Sequence, residues 1–255
     1  MTDTAIGIVV PTMGTRNDFL RECVQSIRAA GQCTIVVVRP ADVVIPSDIA
    51  ADVDHQVDDP CTGLAGAINE GVKALPEAVE YVNWLGDDDR LTTDALTIAA
   101  DALTQTDAVC VFGQCRYINT TGAELWVNRS GRYAVPLLHA GPQLIPQPGA
   151  LYAKSVFIDI GMLNTEYKWA FDLQMFLDLK ARGKLHYINH VLAEFRWHPD
   201  SLSVGGRHGS VTEASRIRVQ HLPRWLRPFS KLWEPALRRL ILVAGARMND
   251  RMSRQ

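Results

Sequence analysis

No stretch of this 255-residue chain approaches the roughly 20 consecutive apolar residues that a membrane span requires. Its N-terminus also lacks the basic and then apolar region of a secretory signal, so the body of the chain is expected in the cytosol. Five cysteines, at 23, 33, 61, 110 and 115, make an odd number with no CxxC pair. Reduced thiols are therefore expected rather than a disulfide framework or a zinc site. No GxGxxG follows the first apolar run, which disfavours a dinucleotide dehydrogenase. Internal repeats and low-complexity tracts are absent as well.

What is present is a strong apolar fraction, 47%, enough for one large domain or two small ones with a full core. Ile6 to Val10 reads as a buried parallel strand that Pro11-Thr12 ends. Phe19, Leu20, Cys23, Val24 and Ile27 then recur at helical spacing, with Asn17 or Asp18 as a start signal and Gly31 as a stop. Thr34 to Val38 is a second strand, followed by Arg39-Pro40-Ala41-Asp42. Residues 52–60 read as acidic and irregular. A helix from Gly63 carries Leu64, Ala67, Ile68, Val72 and Leu75 on one face until Pro76. Strand Tyr81 to Leu85, helix Leu91 to Leu103 and strand Ala108 to Phe112 follow. Gln114 to Ile118 and Glu124 to Val127 form a hairpin around Asn119-Thr120-Thr121-Gly122. This alternation predicts an α/β fold with a mostly parallel sheet.

The second half is less regular. Residues 135–148 read as a loop able to border or cover a site. A strand over 149–154, a helix over 168–182 and a strand over 186–197 are expected after it. The domain division is then 1–206, split into halves 1–113 and 114–206, and a basic amphipathic C-terminal extension 207–255.

The central strand ends in Gly86-Asp87-Asp88-Asp89. In an open α/β sheet ligands bind at the carboxyl ends of the strands. Three adjacent carboxylates repel one another unless something positive sits among them, and a hard divalent cation bridging to a diphosphate is one remedy. The competing explanation is a turn and helix cap. Thr92, Thr93 and Asp94 already offer start chemistry for the next helix, which leaves the earlier acids without a structural role.

Four further features carry chemistry. Arg16, in the loop after the first strand, has the fork of donors that suits a phosphate, or it belongs to a polar turn. Asn69 lies on an apolar helix, where a satisfied amide is the plain alternative. Asp172 follows Trp169-Ala170-Phe171 at a helix start, either as a cap or as a general base. His198 ends the last strand, where a surface histidine competes with a ligand.

Taken in order, these stretches resemble the family 2 glycosyltransferases of the GT-A fold. The matching pieces are Pro11-Thr12 with Arg16, Gly63-Leu64-Ala65-Gly66-Ala67-Ile68-Asn69, Leu85 to Asp89, Phe171 to Leu177, and Phe195 to Ser203. The resemblance spans about residues 5 to 205. It implies that Pro11, Thr12, Arg16, Gly63, Asn69, Asp87 and Asp88 bind a nucleotide-diphosphate sugar. It also implies that Asp89 and His198 hold Mg²⁺ or Mn²⁺, and that Asp172 is the catalytic base of an inverting transfer to a glycan or lipid-linked acceptor. Assembly of cell-surface polysaccharide or glycolipid is the class expected. Two departures stand out: Arg39 occupies a position where members often have an acid, and so does Gly86.

A sugar-phosphate nucleotidyltransferase is the alternative enzyme, since Met13-Gly14-Thr15-Arg16 partly echoes that group's phosphate loop. A non-catalytic sugar-nucleotide-binding subunit is the other alternative.

The net charge of −2 conceals an asymmetry. Residues 207–255 hold eleven Lys or Arg against three acids, leaving 15 basic and 25 acidic residues for 1–206. The tail is +8 and the body −10. Aromatic and basic residues interleave in Trp225 to Trp233, which suits an element lying on an anionic membrane. A helix packed on the body or a homodimer contact fits the same pattern. Nucleic acid is not the expected partner, because the tryptophans stand among leucines rather than as a stacking platform.

Overall fold

A computed structural model describes residues 5–197 and 207–252. The first half contains β1 (Ile6–Pro11), α1 (Asn17–Ala30), β2 (Thr34–Arg39), the one-turn α2 (Ser47–Ala50), β3 (His55–Asp58), α3 (Leu64–Ala74), β4 (Tyr81–Trp84), β5 (Arg90–Leu91) and α4 (Ala95–Gln105). The second half contains β6 (Ala108–Ile118), β7 (Glu124–Asn128), α5 (Ala134–Leu137), β8 (Ala150–Ala153), α6 (Lys154–Asp159), α7 (Phe171–Arg182) and β9 (Lys184–Arg196). Two helices, α8 (Arg207–His221) and α9 (Glu234–Met252), complete the described residues.

One mixed sheet runs in the order β3-β2-β1-β4-β8-β6-β9-β5. The strands β3, β2, β1 and β4 are parallel, whereas β8 is antiparallel to both neighbours. β9 pairs parallel with the whole length of β6, so β8 and the hairpin strand β7 share its other edge. Successive strand residues point to opposite faces, and the β-branched runs of β1 and β2 fill both core layers accordingly. Ile8, Val10, Ile35 and Val37 meet α1 and α4 on one side; Val9, Val36 and Val38 meet α3 and the layer of α7 on the other.

Four expectations need correction. Residues 55–58 are not irregular but form β3, parallel to β2 at the sheet edge. His55, Gln56 and Asp58 are exposed there, so no apolar alternation marks the strand. The helix expected from Leu91 begins at Ala95, because Arg90–Leu91 pairs with β9. Thr92, Thr93 and Asp94 make no side-chain cap: Asp94 adopts a left-handed φ of 60°, and the Thr92 hydroxyl donates to the Val191 carbonyl. The two strands expected at 108–112 and 114–118 are one, with register shifts around Gly113 absorbing the break. The 135–148 segment is largely loop, entered by the end of the one-turn α5 and closed by a 3₁₀ turn that starts at Gln147.

The start of the basic tail is built into the body. α8 packs on α7 and places Ile217 in the core, fully buried. Arg218 of α8 is also buried and pairs with Glu234 of α9 at 3.0 Å, while Ser215 donates to the same carboxylate. That pair ties the two tail helices together.

Candidate active site

Strand register assembles the acid cluster. β1 and β4 are aligned with Ile6 opposite Tyr81 and Val9 opposite Trp84. The same offset of 75 residues carries beyond the strand ends and sets Thr12 beside Asp87, where the hydroxyl donates to the carboxylate at 2.6 Å. The loop after β1 returns Arg16 to the same spot. Its guanidinium forks across two acids, donating to Asp87 at 2.6 Å and to Asp88 at 2.8 Å. A forked, charge-assisted contact of this kind is strong and directional. Repulsion among the three carboxylates is thereby relieved in part by the chain's own arginine.

Asp89 is reached from the other side. The antiparallel pairing of β5 with β9 sets Arg90 opposite Glu194 and brings Arg196 alongside Asp89. The Arg196 backbone N–H donates to Asp89 Oδ1 at 2.9 Å, and its Nε donates to the Asp88 carbonyl at 2.9 Å. The same side chain, fully buried, donates to the carbonyls of Asn119 and Thr120, pairs with Glu22 of α1 and stacks over Phe19. Burial pushes the carboxyls of Asp87 and Asp89 up from the ordinary aspartate value. The Thr12 hydroxyl and Arg16 oppose that shift at Asp87; neighbouring Asp88 adds to it at Asp89.

Gly86 matters to this geometry. A Cβ there would come within 2.9 Å of Asp88 Oδ1 and 3.2 Å of Asp89 Oδ2. Those two oxygens thus approach one point from adjacent residues, and the missing side chain leaves them room. Carboxylate oxygens are the hard donors that Mg²⁺ or Mn²⁺ takes. Among the described residues no group of three His, Cys, Asp or Glu forms a metal cage. His198, expected as a further ligand, lies outside the described residues.

Asp172 belongs to a helix that packs against the end of β4. Phe171 packs on Trp84, the last residue of β4, with ring centroids 6.2 Å apart. Asp172 is the second residue of α7, not its cap; Ala170 holds the cap position. Burial raises its carboxyl above the ordinary value, and the Leu173 N–H and the Gln143 side chain pull it back. Gln143 belongs to the 135–148 segment. Gln147 anchors that segment by donating to Asn83 and to the Trp84 carbonyl, each at 2.9 Å.

The remaining predicted residues are placed as follows. Pro11 ends β1, next to Thr12. Gly63 precedes α3 with a φ of 87°, and a Cβ there would meet nothing within 4 Å. Asn69 is buried with both ends of its amide committed to the Leu163 backbone, at 2.8 and 3.0 Å. Arg39 pairs with Asp58 across the β2–β3 edge at 2.8 Å.

A family model described as "Glycosyl transferase family 2" matches residues 7–161, more than half of the chain. The chain belongs to this family. Its fold is the GT-A fold, shared with solved structures of S. aureus TarS. TarS 1–349 in complex with UDP-GlcNAc superposes with a TM-score of 0.64 at 12% identity, covering 86% of this chain and 66% of that one. TarS 1–349 with UDP gives 0.62 at 13% identity, with 86% and 65% covered. The longer TarS structure gives 0.61 at 12% identity, covering 95% of this chain but only 54% of TarS. The chain thus spans about two thirds or less of the TarS structures. A search of curated proteins finds no match.

Two residues of this family 2 chain gained a role only from its three-dimensional arrangement. Arg196 was visible as part of Phe195-Arg196-Trp197, but nothing in the pattern says that it grips the acid loop. Glu213 lies in the basic tail, far along the chain, and its carboxylate accepts the backbone N–H groups of Lys168, Trp169 and Ala170 immediately before α7. An isolated acid among arginines was the one available signal.

Proposed function

We propose that this protein transfers a sugar from a nucleotide-diphosphate donor to an acceptor hydroxyl, with inversion at the anomeric carbon. The observation that carries the reading is the joining of Thr12, Arg16, Asp87 and Asp88 at the carboxyl edge of a family 2 fold, with the helix that starts Phe171-Asp172 packed through Phe171 on Trp84 of the acid-bearing strand. Uridine-diphosphate sugars are the first donors to test, because TarS is solved with UDP and UDP-GlcNAc. The acceptor class is a glycan or a lipid-linked glycan of a cell surface.

In this mechanism Pro11, Thr12, Arg16 and Gly63 line the nucleotide, and the Arg16 fork lies where a diphosphate brings negative charge. Asp88 and Asp89 would hold Mg²⁺ or Mn²⁺; a bound ion would supply neutralisation of the charge on the departing diphosphate. Asp172 accepts the proton of the attacking hydroxyl. The bond from the anomeric carbon to the diphosphate oxygen breaks as the new glycosidic bond forms. A carboxyl raised by burial is a better proton acceptor than an ordinary aspartate, so the desolvation at Asp172 favours this role.

Thermal shift against a panel of nucleotide sugars with Mn²⁺ tests the reading. A true donor at 100 times its dissociation constant adds about 2.7 kcal/mol of stability. The Asp89→Ala variant should lose that shift, and EDTA should remove it from the native protein. Absence of a shift with every sugar nucleotide, or release of pyrophosphate from a nucleoside triphosphate and a sugar phosphate, would overturn the proposal.

A further inference from the structure

We infer that the outer face of residues 223–247 docks on an anionic lipid surface. α8 and the residue after it turn their apolar side chains inward, with Val211, Ile217 and Leu222 buried. Beyond it the pattern reverses. Trp225 is 71% exposed, Phe229 54%, Leu232 79% and Leu240 64%. These positions follow one another at spacings of four, three and eight residues, and exposed Ala236 stands midway along the last interval. Exposed Val243 and Arg247 continue the series along α9 at three and four residues, which keeps them on one helix face. The 3₁₀ turn over Arg227–Leu232 presents Phe229 and Leu232 immediately before that helix.

The charge around this stripe selects its occupant. Residues 223–247 contain six Lys or Arg and a single acid. That acid, Glu234, is 6% exposed and tied to Arg218 and Ser215, so it does not offset the surface charge. Arg224, Lys231, Arg239 and Arg247 are exposed beside the apolar residues. A second copy of the chain using this face would set like charges against like across a low-dielectric contact. Anionic headgroups answer both features: they attract the cations, and the acyl boundary takes up the tryptophan, phenylalanine and leucines. No helix among the described residues is long and apolar enough to cross a membrane, so the contact lies in the plane of the interface. The body's charge of −10 over residues 1–206 would orient the molecule with this face down.

Co-sedimentation of the full chain with vesicles tests the inference without donor or acceptor, so its outcome is independent of the transferase reading. Vesicles of phosphatidylcholine with phosphatidylglycerol should pellet the protein at low salt, and phosphatidylcholine alone should not. Neutralising Arg224, Lys231 and Arg239 together to Gln should weaken binding on the order of a hundredfold, about fivefold per charge. Trp225→Ser with Leu232→Ser and Leu240→Ser should also release the protein. All six side chains are exposed, so both triple variants should melt with the native protein. Equal pelleting by both vesicle types, or pelleting indifferent to the substitutions, would overturn the inference. So would a dimer in light scattering that the serine variant dissolves while vesicles leave the native protein in solution.

Discussion

Asp172 concentrates the chemistry in one carboxyl. If it is the proton acceptor, Asp172→Asn should lower turnover about 10²- to 10⁴-fold while donor affinity by calorimetry stays near native. Turnover of the native protein should rise with pH through a value above the ordinary 3.8, because burial raises this carboxyl. The stability consequence has the opposite sign. A folded-state value above the unfolded one means that the native protein holds the proton more tightly. The stability so contributed is fully present below the unfolded value and is lost as pH rises through the folded one. Asp172→Asn should therefore flatten the decline of the unfolding free energy with pH above 3.8, measured by urea denaturation across that range. A native turnover in the Asn variant would leave Asp172 as a first-turn acid of a helix and nothing more.

Elements meet at this site through single side chains that bridge them. Arg196 joins the end of β9 to α1, to the hairpin turn at 119–120 and to the acid loop. Removing Arg196 strips the Asp88, Asn119 and Thr120 carbonyls of their donor while Glu22, 43% exposed, turns to water, so Arg196→Met should cost about 1 to 3 kcal/mol in urea unfolding. It should also weaken donor binding, since the Asp88 carbonyl would lose a donor. Glu213 does the same for α7 from the tail. Glu213→Ala removes the acceptor of three N–H groups before the helix and should cost about 1 to 2 kcal/mol. Its kinetic signature should be a fall in kcat larger than any change in donor affinity, because the segment it holds leads directly into Asp172.

At the level of the whole molecule, the basic extension divides in two. Residues 207–222 complete the core, and residues 223–247 present a cationic, apolar face. A chain ending at residue 206 would uncover the site of Ile217 and leave the segment before α7 uncapped. Loss of that one buried isoleucine is worth roughly 2 kcal/mol on its own. The truncated chain should melt well below the native one in calorimetry; an unchanged melting temperature would show that α8 is dispensable to the core.

The α/β alternation, the strands that fill the core and the acids at the end of β4 follow from local hydrophobic periods, which a short window of sequence contains. β3 escapes that reading because Val57 is its one apolar residue and His55, Gln56 and Asp58 are exposed, and the 108–118 strand reads as two because Gly113 looks like a break. The pairings of Arg16 with Asp87 and Asp88, of Arg196 with Asp89 and of Glu213 with the start of α7 were legible only in three dimensions. Each joins residues more than 40 positions apart. Such contacts are set by strand register and helix packing, and these depend on the whole sheet closing together rather than on any neighbouring residues.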